Sequence, residues 1–315
     1  MRILVTGASG FVGRHIVERL GESNDVVAPT RRPLPSGLRA RSIAIDRIDS
    51  RTDWREALAG VDAVVHAAGA AHRRRGEPEK PGEGYDEVNA RGTLAFAQTA
   101  AEAGVPEFVF VSSISVNGRK TEGRPPFTED GPADCGSEYA ASKWGAEQGL
   151  AELSARTGLG VTIVRPPQIY GRPATGHIAF LVDVMQRGLP LPRPSFDNRR
   201  AFVAVDTLVD FIALRLERPA GGCETFIVAD DGHVSSAAFI IGLGRAAGLK
   251  PRLVPIPAGV VKAGLRLAGR GAMVDSLFAS LEVDLSRARA TGWTPRSGTL
   301  EGLARTFAAG TGPTA

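Results

Sequence analysis

Apolar and polar positions follow two alternating periodicities in the first half of the chain. Short β-branched apolar runs predict strands at residues 2–6, 25–30, 42–45, 62–66, 107–112 and 161–165. The longer stretches between these runs carry apolar residues at helical spacing. Strands that alternate with helices predict a parallel sheet covered on both faces, so the expected fold class is α/β with a doubly wound parallel sheet.

The pattern changes after Gly171, where the alternation weakens and Pro and Gly become frequent. This change predicts a smaller C-terminal α/β lobe. We expect a main domain at residues 1–167 together with about 201–219, and a lobe at residues 168–200 and 220–315. The two domains would then be interleaved along the chain and not arranged in tandem.

A glycine-rich turn follows the first strand directly. Gly7 permits a tight turn, Gly10 lets a ligand approach the backbone, and Gly13 lets the next helix pack close to the strand. Phe11 and Val12 open that helix, whose N-terminal N–H groups favour an anion. The turn therefore predicts a site for the pyrophosphate of a dinucleotide.

Tyr139 and Lys143 are four residues apart in a Pro-free stretch, residues 137–156, that predicts a helix. Residues i and i+4 share one face of a helix. A neighbouring ammonium favours the phenolate, so we expect the pKa of Tyr139 to lie below its usual value of ~10. Such a tyrosine exchanges a proton with a substrate hydroxyl during hydride transfer. The alternative is an exposed pair without a chemical role.

Several other candidate residues follow predicted strands, where ligands of parallel sheets bind. Asp46 after the third strand is expected to border an adenine, with a turn or cap residue as the alternative. His66 lies at the end of an apolar strand and is expected to be a hydrogen-bonded core residue. The remaining candidates are Arg31, Arg32, Ala67, Ala68, Gly69, Ser113 and Arg165.

Together these motifs resemble the extended short-chain dehydrogenase/reductase family, the NAD-dependent epimerases and dehydratases. The resemblance covers nearly the whole chain, and it implies a Rossmann-like fold with Ser113, Tyr139 and Lys143 as the catalytic residues. Lys143 would also hold the nicotinamide ribose, and Ser113 and Tyr139 would contact the substrate. It further implies Asn89 and Pro166 on the cofactor side and Gln168, His177 and Arg200 on the substrate side. The family commonly has Asn where this chain has His177. The other shared stretches are residues 65–69, 88–93, 164–171, 199–206 and 291–295.

Residues 52–54, 113–118 and 142–148 are most similar to a bacterial branch that acts at C4 of UDP-linked amino sugars. The implied function is an NAD(P)-dependent oxidoreductase or epimerase at C4 of a UDP-sugar. A 4-ketoreductase of a UDP-4-keto-6-deoxy amino sugar is favoured, and a UDP-hexose 4-epimerase with bound NAD, similar to UDP-glucose 4-epimerase, is the alternative.

Three further classes are disfavoured. A non-catalytic dinucleotide-binding sensor or scaffold is the alternative of another class, but such relatives typically lose the Tyr or the Lys. A hydroxysteroid dehydrogenase-like or flavonoid reductase-like enzyme needs an apolar substrate lobe, whereas Arg193, Arg199 and Arg200 indicate an anionic substrate. A dehydratase usually has acidic residues after the active-site Ser or Thr, and residues 114–115 offer none.

The end of the second strand bears on cofactor choice. Thr30 stands where an acidic residue would bind the ribose hydroxyls of NAD, and Arg31 and Arg32 follow it. Guanidinium groups suit a 2′-phosphate, so NADP(H) is favoured and NAD(H) is the alternative. Because a ketoreductase consumes NADPH, this feature also favours reduction over epimerisation.

Composition excludes several partners. With 43% apolar and 23% charged residues the chain is typical of a globular protein, and its net charge is only +4. The Arg clusters are local and accompany no nucleic-acid motif, so no nucleic-acid partner is expected. Two cysteines fit a reducing compartment, and with a first strand at residues 2–6 we expect a cytoplasmic protein. No metal is expected, because no metal-ligand spacing is present.

Three expectations concern surfaces. Residues 254–273 carry Lys262, Arg266 and Arg270 on one helical stripe. This stripe predicts an amphipathic helix and no stable membrane insertion. The minor alternative is that the helix lies on an anionic membrane surface. The loop at residues 72–82 is expected to be mobile and solvated, with closure over the substrate as the minor alternative. By resemblance, helices at residues 85–103 and 137–155 should pair in a homodimer through small residues, namely Ala95, Ala97, Ala100, Ala101, Ala140, Ala141 and Ala146.

Overall fold

The computed structural model describes residues 1–31, 33–71, 84–193, 197–267 and 272–307. Arg32 and the loop at residues 72–82, both singled out from the sequence, lie outside the described residues. In chain order the elements are β1 (Arg2–Thr6), α1 (Phe11–Leu20), β2 (Asp25–Thr30), β3 (Arg41–Ala44), β4 (Ala63–His66), a π-helical turn (Asp86–Arg91), α2 (Gly92–Glu102), β5 (Glu107–Val111), a 3₁₀ turn (Ile114–Val116), α3 (Glu138–Thr157), β6 (Gly160–Arg165), β7 (Gln168–Tyr170), α4 (Gly176–Gln186), β8 (Pro190–Pro192), β9 (Phe202–Ala204), α5 (Val205–Glu217), β10 (Cys223–Ile227), α6 (Ser236–Ala246), β11 (Arg252–Val254), α7 (Ala258–Leu267), α8 (Ala272–Phe278), α9 (Ser286–Ala290) and α10 (Thr299–Phe307).

The chain divides into two compact units. Unit 1 comprises residues 1–118, 132–166 and 209–227, and unit 2 comprises residues 119–131, 167–208 and 228–315. The division differs from the expected one in three stretches. In each stretch the difference follows from the backbone hydrogen bonds that the residues make. Residues 119–131 hydrogen-bond with residues 280–284, β9 pairs with β7 inside unit 2, and β10 extends the sheet of unit 1.

A seven-stranded parallel sheet forms unit 1, in the order β10-β6-β5-β4-β1-β2-β3. The strand order reverses between β1 and β4, which creates the switch point where such sheets bind ligands beyond the carboxyl ends of the strands. Every residue of β4, β5 and β6 is buried, as expected of central strands with both faces covered. The α/β, Rossmann-like fold class is thus confirmed, and β10 is a seventh strand that the sequence pattern did not predict.

Aromatic rings fill the core of unit 1 on the side of α2 and α3. The Trp54 ring lies on Phe96 with centroids 4.1 Å apart, and Phe96 meets Phe108 edge to face at 5.3 Å. All three side chains are fully buried. Each such burial contributes about 1.5–3 kcal/mol of hydrophobic free energy, so this cluster fixes α2 against the sheet.

Helix α3 carries the Tyr–Lys pair, and its ends match the sequence prediction within one residue. The Ser137 hydroxyl accepts a hydrogen bond from the Ala140 N–H and caps the first turn. Gly158 ends the helix in the left-handed conformation, at φ 79°. The other long helix differs from the prediction, because residues 86–91 form a π-helical turn before α2 begins.

Unit 2 has its own core. Two parallel two-stranded sheets, β7 with β9 and β8 with β11, pack among its helices. The buried Tyr170 hydroxyl donates to the Asp230 carboxylate at 2.6 Å, and the same carboxylate accepts from the Ala204 N–H at 3.0 Å. The Tyr170 and Phe202 rings both lie against Phe239. This polar link inside an aromatic core joins β7, β9 and the segment after β10.

Candidate active site

The glycine turn after β1 has the close contacts that its sequence predicted. Gly7 has a φ of 73°, and a Cβ there would lie 2.8 Å from the backbone nitrogen of Ala68. A Cβ at Gly13 would lie 2.1 Å from the Gly7 carbonyl oxygen, so only glycine fits there. Gly10 is the N-cap residue of α1 and has no side chain to occupy the first N–H groups of the helix. Phe11 and Val12 form that first turn. The helix N-terminus is therefore open toward an anion.

The loop after β4 is held by Asn89 on the π-helical turn. The Ala70 N–H donates to Asn89 Oδ1 at 2.8 Å, and Asn89 Nδ2 donates to the Ala70 carbonyl at 3.0 Å. Asn89 Nδ2 also donates to the Ser142 hydroxyl on α3 at 3.0 Å. Asn89 is buried, so its side chain positions the 67–70 loop against α3.

Gly69 forms part of a tight cradle in that loop. A Cβ at this position would lie 2.9 Å from Asn89 Oδ1 and 3.3 Å from Lys143 Nζ. Ala67 is half-buried and Ala68 is buried, with the Ala68 N–H donating to the Thr6 hydroxyl at 3.2 Å. The structure therefore brings the glycine turn, the 67–70 loop and Lys143 together, as the strand-end positions indicated.

Lys143 is almost completely buried on α3. Its Nζ donates to the Val111 carbonyl oxygen at 2.9 Å and lies 4.5 Å from the centroid of the Phe110 ring. Burial lowers the pKa of Lys143 to about 8, and the Glu147 carboxylate acts in the opposite direction. Near neutral pH the side chain is therefore a cation with little solvent around it.

The expected direction of the Tyr139 pKa is wrong for this structure. Burial raises the pKa of the Tyr139 phenol, and the neighbouring Tyr85 ring, 5.9 Å away, adds to the rise. Hydrogen bonding from the Ser113 hydroxyl acts the other way. Lys143 does not set the pKa of Tyr139 as expected, because its ammonium is directed to the Val111 carbonyl and the phenol is desolvated. The phenol is thus protonated at neutral pH.

Ser113 lies between β5 and the 3₁₀ turn. Its hydroxyl accepts from the Ser115 N–H at 3.2 Å and from the Ser115 hydroxyl at 2.9 Å. The Ser113 hydroxyl is also the hydrogen-bonding partner of the Tyr139 phenol. Ser113, Tyr139 and Lys143 are therefore grouped at the carboxyl end of β5, where a hydroxyl or carbonyl of a ligand could meet a proton donor.

A buried ion pair lies one helical turn beyond Lys143. Arg165 donates to both oxygens of the Glu147 carboxylate, at 2.5–3.1 Å, and also to Asn117 Oδ1 at 3.0 Å. The Ser112 hydroxyl donates to Glu147 as well. These residues clamp α3 to β5 and β6. The sequence placed Arg165 at a strand end but gave no partner for it, because a contact between Glu147 and a later strand leaves no local pattern.

His66 is a core residue, as the sequence indicated. Its Nδ1 lies 2.7 Å from the Thr6 hydroxyl and its Nε2 lies 3.0 Å from the Thr93 hydroxyl. The Thr93 hydroxyl donates in turn to the Asn89 carbonyl at 2.8 Å. Burial lowers the pKa of His66 to about 3, so the ring is neutral at working pH. The His66 ring thus links Thr6 of β1 to Thr93 of α2.

The other cofactor-side candidates occupy the expected edge of unit 1. Thr30 is buried at the end of β2, and Arg31 directly after it is exposed. Asp46 is exposed just after β3. Pro166 follows β6, and its carbonyl accepts from the Ile114 N–H at 3.0 Å. Their positions beyond the carboxyl ends of the strands support these candidates. The side-chain contacts of Arg31 and Asp46 do not show which part of a ligand each would bind.

The substrate-side candidates lie in unit 2. Gln168 and His177 are exposed, and both line an apolar cavity of about 60 Å³ together with Phe202 and Phe239. Arg200 is buried, and its Nη1 donates to the carbonyls of residues 275 and 279, at 3.0 and 2.8 Å. Burial lowers the pKa of Arg200 to about 10. Arg200 thus has a structural role at the end of α8 that the sequence did not predict.

The described ranges contain neither a group of metal ligands nor a membrane-spanning helix. Over these ranges no three His, Cys, Asp or Glu side chains are grouped as metal ligands. Within the same part of the chain, no helix is long and apolar enough to cross a membrane. Cys135 and Cys223 are both free and half-buried.

A parallel sheet with a glycine turn at its switch point, and a Ser–Tyr–Lys group at the end of the neighbouring strands, defines a Rossmann-like enzyme class. The chain belongs to the NAD dependent epimerase/dehydratase family, whose model matches residues 3–229.

Individual relatives agree with the family assignment. The chain is 34% identical to a UDP-glucose 4-epimerase of Vibrio cholerae over 308 residues, 96% of this chain and 94% of the relative. It is 30% identical over 328 residues to a ceramide reductase of Caulobacter vibrioides, with 97% and 90% covered. Among solved structures it is similar to MoeE5 in complex with UDP-glucose and NAD, with a TM-score of 0.77 and 27% identity over 98% of this chain and 97% of that one.

Proposed function

We propose that this protein is a UDP-sugar 4-epimerase that keeps its nicotinamide cofactor bound throughout the reaction. The observation that carries the proposal is the grouping of Ser113, Tyr139 and Lys143 beside the Gly69 cradle. The name of the Vibrio cholerae relative and the ligands of the MoeE5 complex support UDP-sugar chemistry at C4. On these grounds the epimerase takes precedence over the 4-ketoreductase that the sequence favoured.

The residues of unit 1 fit a dinucleotide. The α1 N-terminus and the Gly7 turn offer backbone N–H groups and no side-chain obstruction for a pyrophosphate. At Gly69 the missing side chain leaves room beside Lys143 Nζ, where a Cβ would collide with Asn89. Lys143, with its pKa of about 8, would donate from a desolvated cation to ribose hydroxyls. When bound, the nicotinamide supplies the hydride acceptor and donor for the reaction.

The protein's own residues manage the proton. The Tyr139 phenol would first release its own proton to solvent. The phenolate Oη would then take the proton of the sugar C4 hydroxyl as that carbon is oxidised, and would return it to the C4 oxygen when the ketone is reduced from its other face. Ser113 Oγ, hydrogen-bonded to the phenol, would hold that same C4 oxygen. Across both half-reactions no proton or hydride is gained or lost. The raised pKa of Tyr139 opposes this initial ionisation and suits the return step, in which a protonated phenol is required.

A 4-ketoreductase that uses NADPH is the second candidate. The specific observation in its favour is Thr30 at the end of β2 followed by the exposed Arg31, with no carboxylate at the position where NAD ribose hydroxyls are usually bound. The name of the ceramide reductase relative also supports this candidate, because it indicates that a protein of similar sequence catalyses a reduction. Cofactor identity therefore distinguishes the two candidates.

A hydride-tracking experiment tests the proposal. Purified protein is incubated with UDP-[4-²H]glucose and no added nucleotide, and the products are followed by NMR and mass spectrometry, with extraction of bound cofactor. An epimerase should give UDP-galactose that keeps deuterium at C4, and the extracted cofactor should be NAD.

A matched pair of variants gives the control. Arg31→Ala should leave this reaction intact, whereas Tyr139→Phe should slow it by about two to four orders of magnitude. Absence of C4 epimerisation with several UDP-hexoses, combined with stoichiometric NADPH oxidation on a UDP-4-keto sugar, would establish the reductase. In that case Arg31→Ala should weaken NADPH binding about ten- to a hundred-fold more than NADH binding, because only NADPH offers the 2′-phosphate.

A further inference from the structure

Helix α7 of unit 2 turns an apolar face toward solvent. Val260 is 62% exposed and Leu267 is 90% exposed, and these two residues are seven apart. Ala263 and Gly264, which lie between them on the same face of the helix, are also exposed. The opposite face packs inward, with Val261 buried. A solvated helix normally carries polar residues on its outer face, so this arrangement is unusual for a surface that meets only water.

The exposed apolar residues continue into the preceding strand. Val254, the last residue of β11, is 37% exposed, and Ile256 is 39% exposed. The Val254 carbonyl accepts from the Arg193 N–H, and the Ile256 N–H donates to the same carbonyl, so backbone hydrogen bonds fix this segment. We call Val254, Ile256, Val260, Gly264 and Leu267 the 254–267 surface. Its large side chains are neighbours in one short segment, unlike singly scattered surface apolar residues.

The stretch of sequence that contains this surface carries charge of one sign. Between His233 and Val274 the sequence contains no Asp or Glu. Arg245, Lys250 and Arg252 are exposed, and the Lys262 ammonium lies 5.5 Å from the Phe278 ring. The basic residues of the interval are Arg245, Lys250, Arg252, Lys262, Arg266 and Arg270.

The first carboxylate after this interval, that of Asp275, does not neutralise the positive charge of the interval. Asp275 on α8 is paired with Arg119 at 3.2 Å. Exposed apolar side chains next to uncompensated positive charge are complementary to an anionic lipid headgroup layer above acyl chains. A second copy of the same surface would instead place like charges opposite each other.

We propose that the 254–267 surface rests on the face of an anionic phospholipid bilayer. Val260 and Leu267 enter the boundary between headgroups and acyl chains, and the exposed Lys250 and Arg252 pair with lipid phosphates. Contact of this depth is peripheral and reversible. The proposal goes beyond the proposed function and does not depend on it, because lipid binding is measured without a sugar substrate.

Vesicle co-sedimentation of the full chain tests this inference. The expected result is binding to phosphatidylcholine vesicles that contain phosphatidylglycerol, little binding to pure phosphatidylcholine vesicles, and weakening by salt. The double variant Val260→Glu/Leu267→Glu should reduce partitioning by about tenfold or more, since it removes two inserted side chains and adds two repelled charges. Leu300→Glu on α10, which changes a residue that is 46% exposed, is the matched control and should bind like the wild type.

A second readout does not depend on the folding of the double variant. A Leu267→Trp protein should show fluorescence quenching by vesicles of brominated phosphatidylglycerol. Failure of the wild type to bind anionic vesicles at low salt would overturn the proposal, as would equal binding by the double variant or an unquenched Trp. Sedimentation equilibrium tests the alternative that a second copy of the chain binds this surface. If the wild type self-associates without binding lipid, and the double variant does not self-associate, the surface belongs to a second copy and the bilayer proposal is overturned.

Discussion

The Lys143 ammonium donates a hydrogen bond to the Val111 carbonyl oxygen at 2.9 Å, and this contact ties the middle of α3 to the end of β5. It gives a buried lysine a fixed position without a carboxylate as direct partner. Glu147, one turn further along, moderates the cost of burial, but its oxygens are hydrogen-bonded to Arg165 and Ser112. The site thus holds a positive charge that is available to a ligand, because its nearest carboxylate is already engaged.

Lys143→Met should remove the charge and keep the aliphatic packing on Phe110. We expect turnover of the UDP-sugar to fall by about ten- to a hundred-fold, as for loss of a charge-assisted hydrogen bond to the ribose. The free energy of unfolding should stay near that of the wild type, because the variant loses a desolvated cation. Lys262→Met, which also removes a lysine beside an aromatic ring, is the control and should keep full turnover. Steady-state kinetics and urea unfolding measure both effects, and an active Lys143→Met protein would contradict the assignment.

Tyr139→Phe should remove the proton donor and leave the ring packing in place. Turnover is expected to fall by about two to four orders of magnitude with cofactor content nearly unchanged. The matched control is Tyr85→Phe, which removes a hydroxyl from the ring that meets Tyr139 at 5.9 Å. Turnover assays and extraction of bound cofactor distinguish the two variants. If Tyr139→Phe stays active, or if both variants lose activity equally, a proton role specific to Tyr139 is contradicted.

Local sequence predicted those features whose causes are local. Periodicity located the six strands through β6 and the bounds of α3, and the glycine spacing located the Gly7 turn. The features that were missed depend on contacts distant in sequence: β10 is a strand because it pairs with β6, and Glu147 is an ion-pair partner because Arg165 reaches it. The direction of the Tyr139 pKa was wrong for the same reason, since desolvation is set by tertiary burial and not by the i, i+4 spacing.

His66 should make the protein sensitive to acid. Its pKa is about 3 when folded and about 6.5 when unfolded, so the unfolded chain binds the proton between these values and stability falls as pH decreases through that window. At pH 4.5 the loss from this residue amounts to about 3 kcal/mol. His66→Gln, which cannot titrate, should show a flatter pH dependence of the free energy of unfolding. Urea unfolding at pH 7 and pH 4.5 measures it, and parallel pH profiles for the two proteins would refute this role.

We also propose a homodimer that pairs the outer faces of α2 and α3. Several of the small residues that suggested this interface are buried against the core of their own unit and are not available to a partner. These residues are Ala97, Ala100, Ala140 and Ala146. The exposed small residues of α3 are Ala141, Ala151 and Ala155. Ala151→Arg should therefore dissociate the dimer in sedimentation equilibrium, while Ala146 is unsuitable as a probe. A monomeric wild type would contradict the proposal.

Arg200 tests the substrate side of the same function. Arg200→Ala should lower the thermal midpoint of the free protein, because the carbonyls of residues 275 and 279 lose a donor, a cost of about 1–3 kcal/mol. If Arg200 also binds the diphosphate, the rise in thermal midpoint caused by a UDP-sugar in the wild type should largely disappear. Arg199→Ala is the neighbouring control, since Arg199 is exposed and paired with Glu282 at 2.7 Å, and it should retain the rise. Thermal denaturation with and without UDP-glucose separates the two roles. A destabilised Arg200→Ala protein that still shows the full UDP-sugar shift would leave Arg200 as a helix-end residue alone.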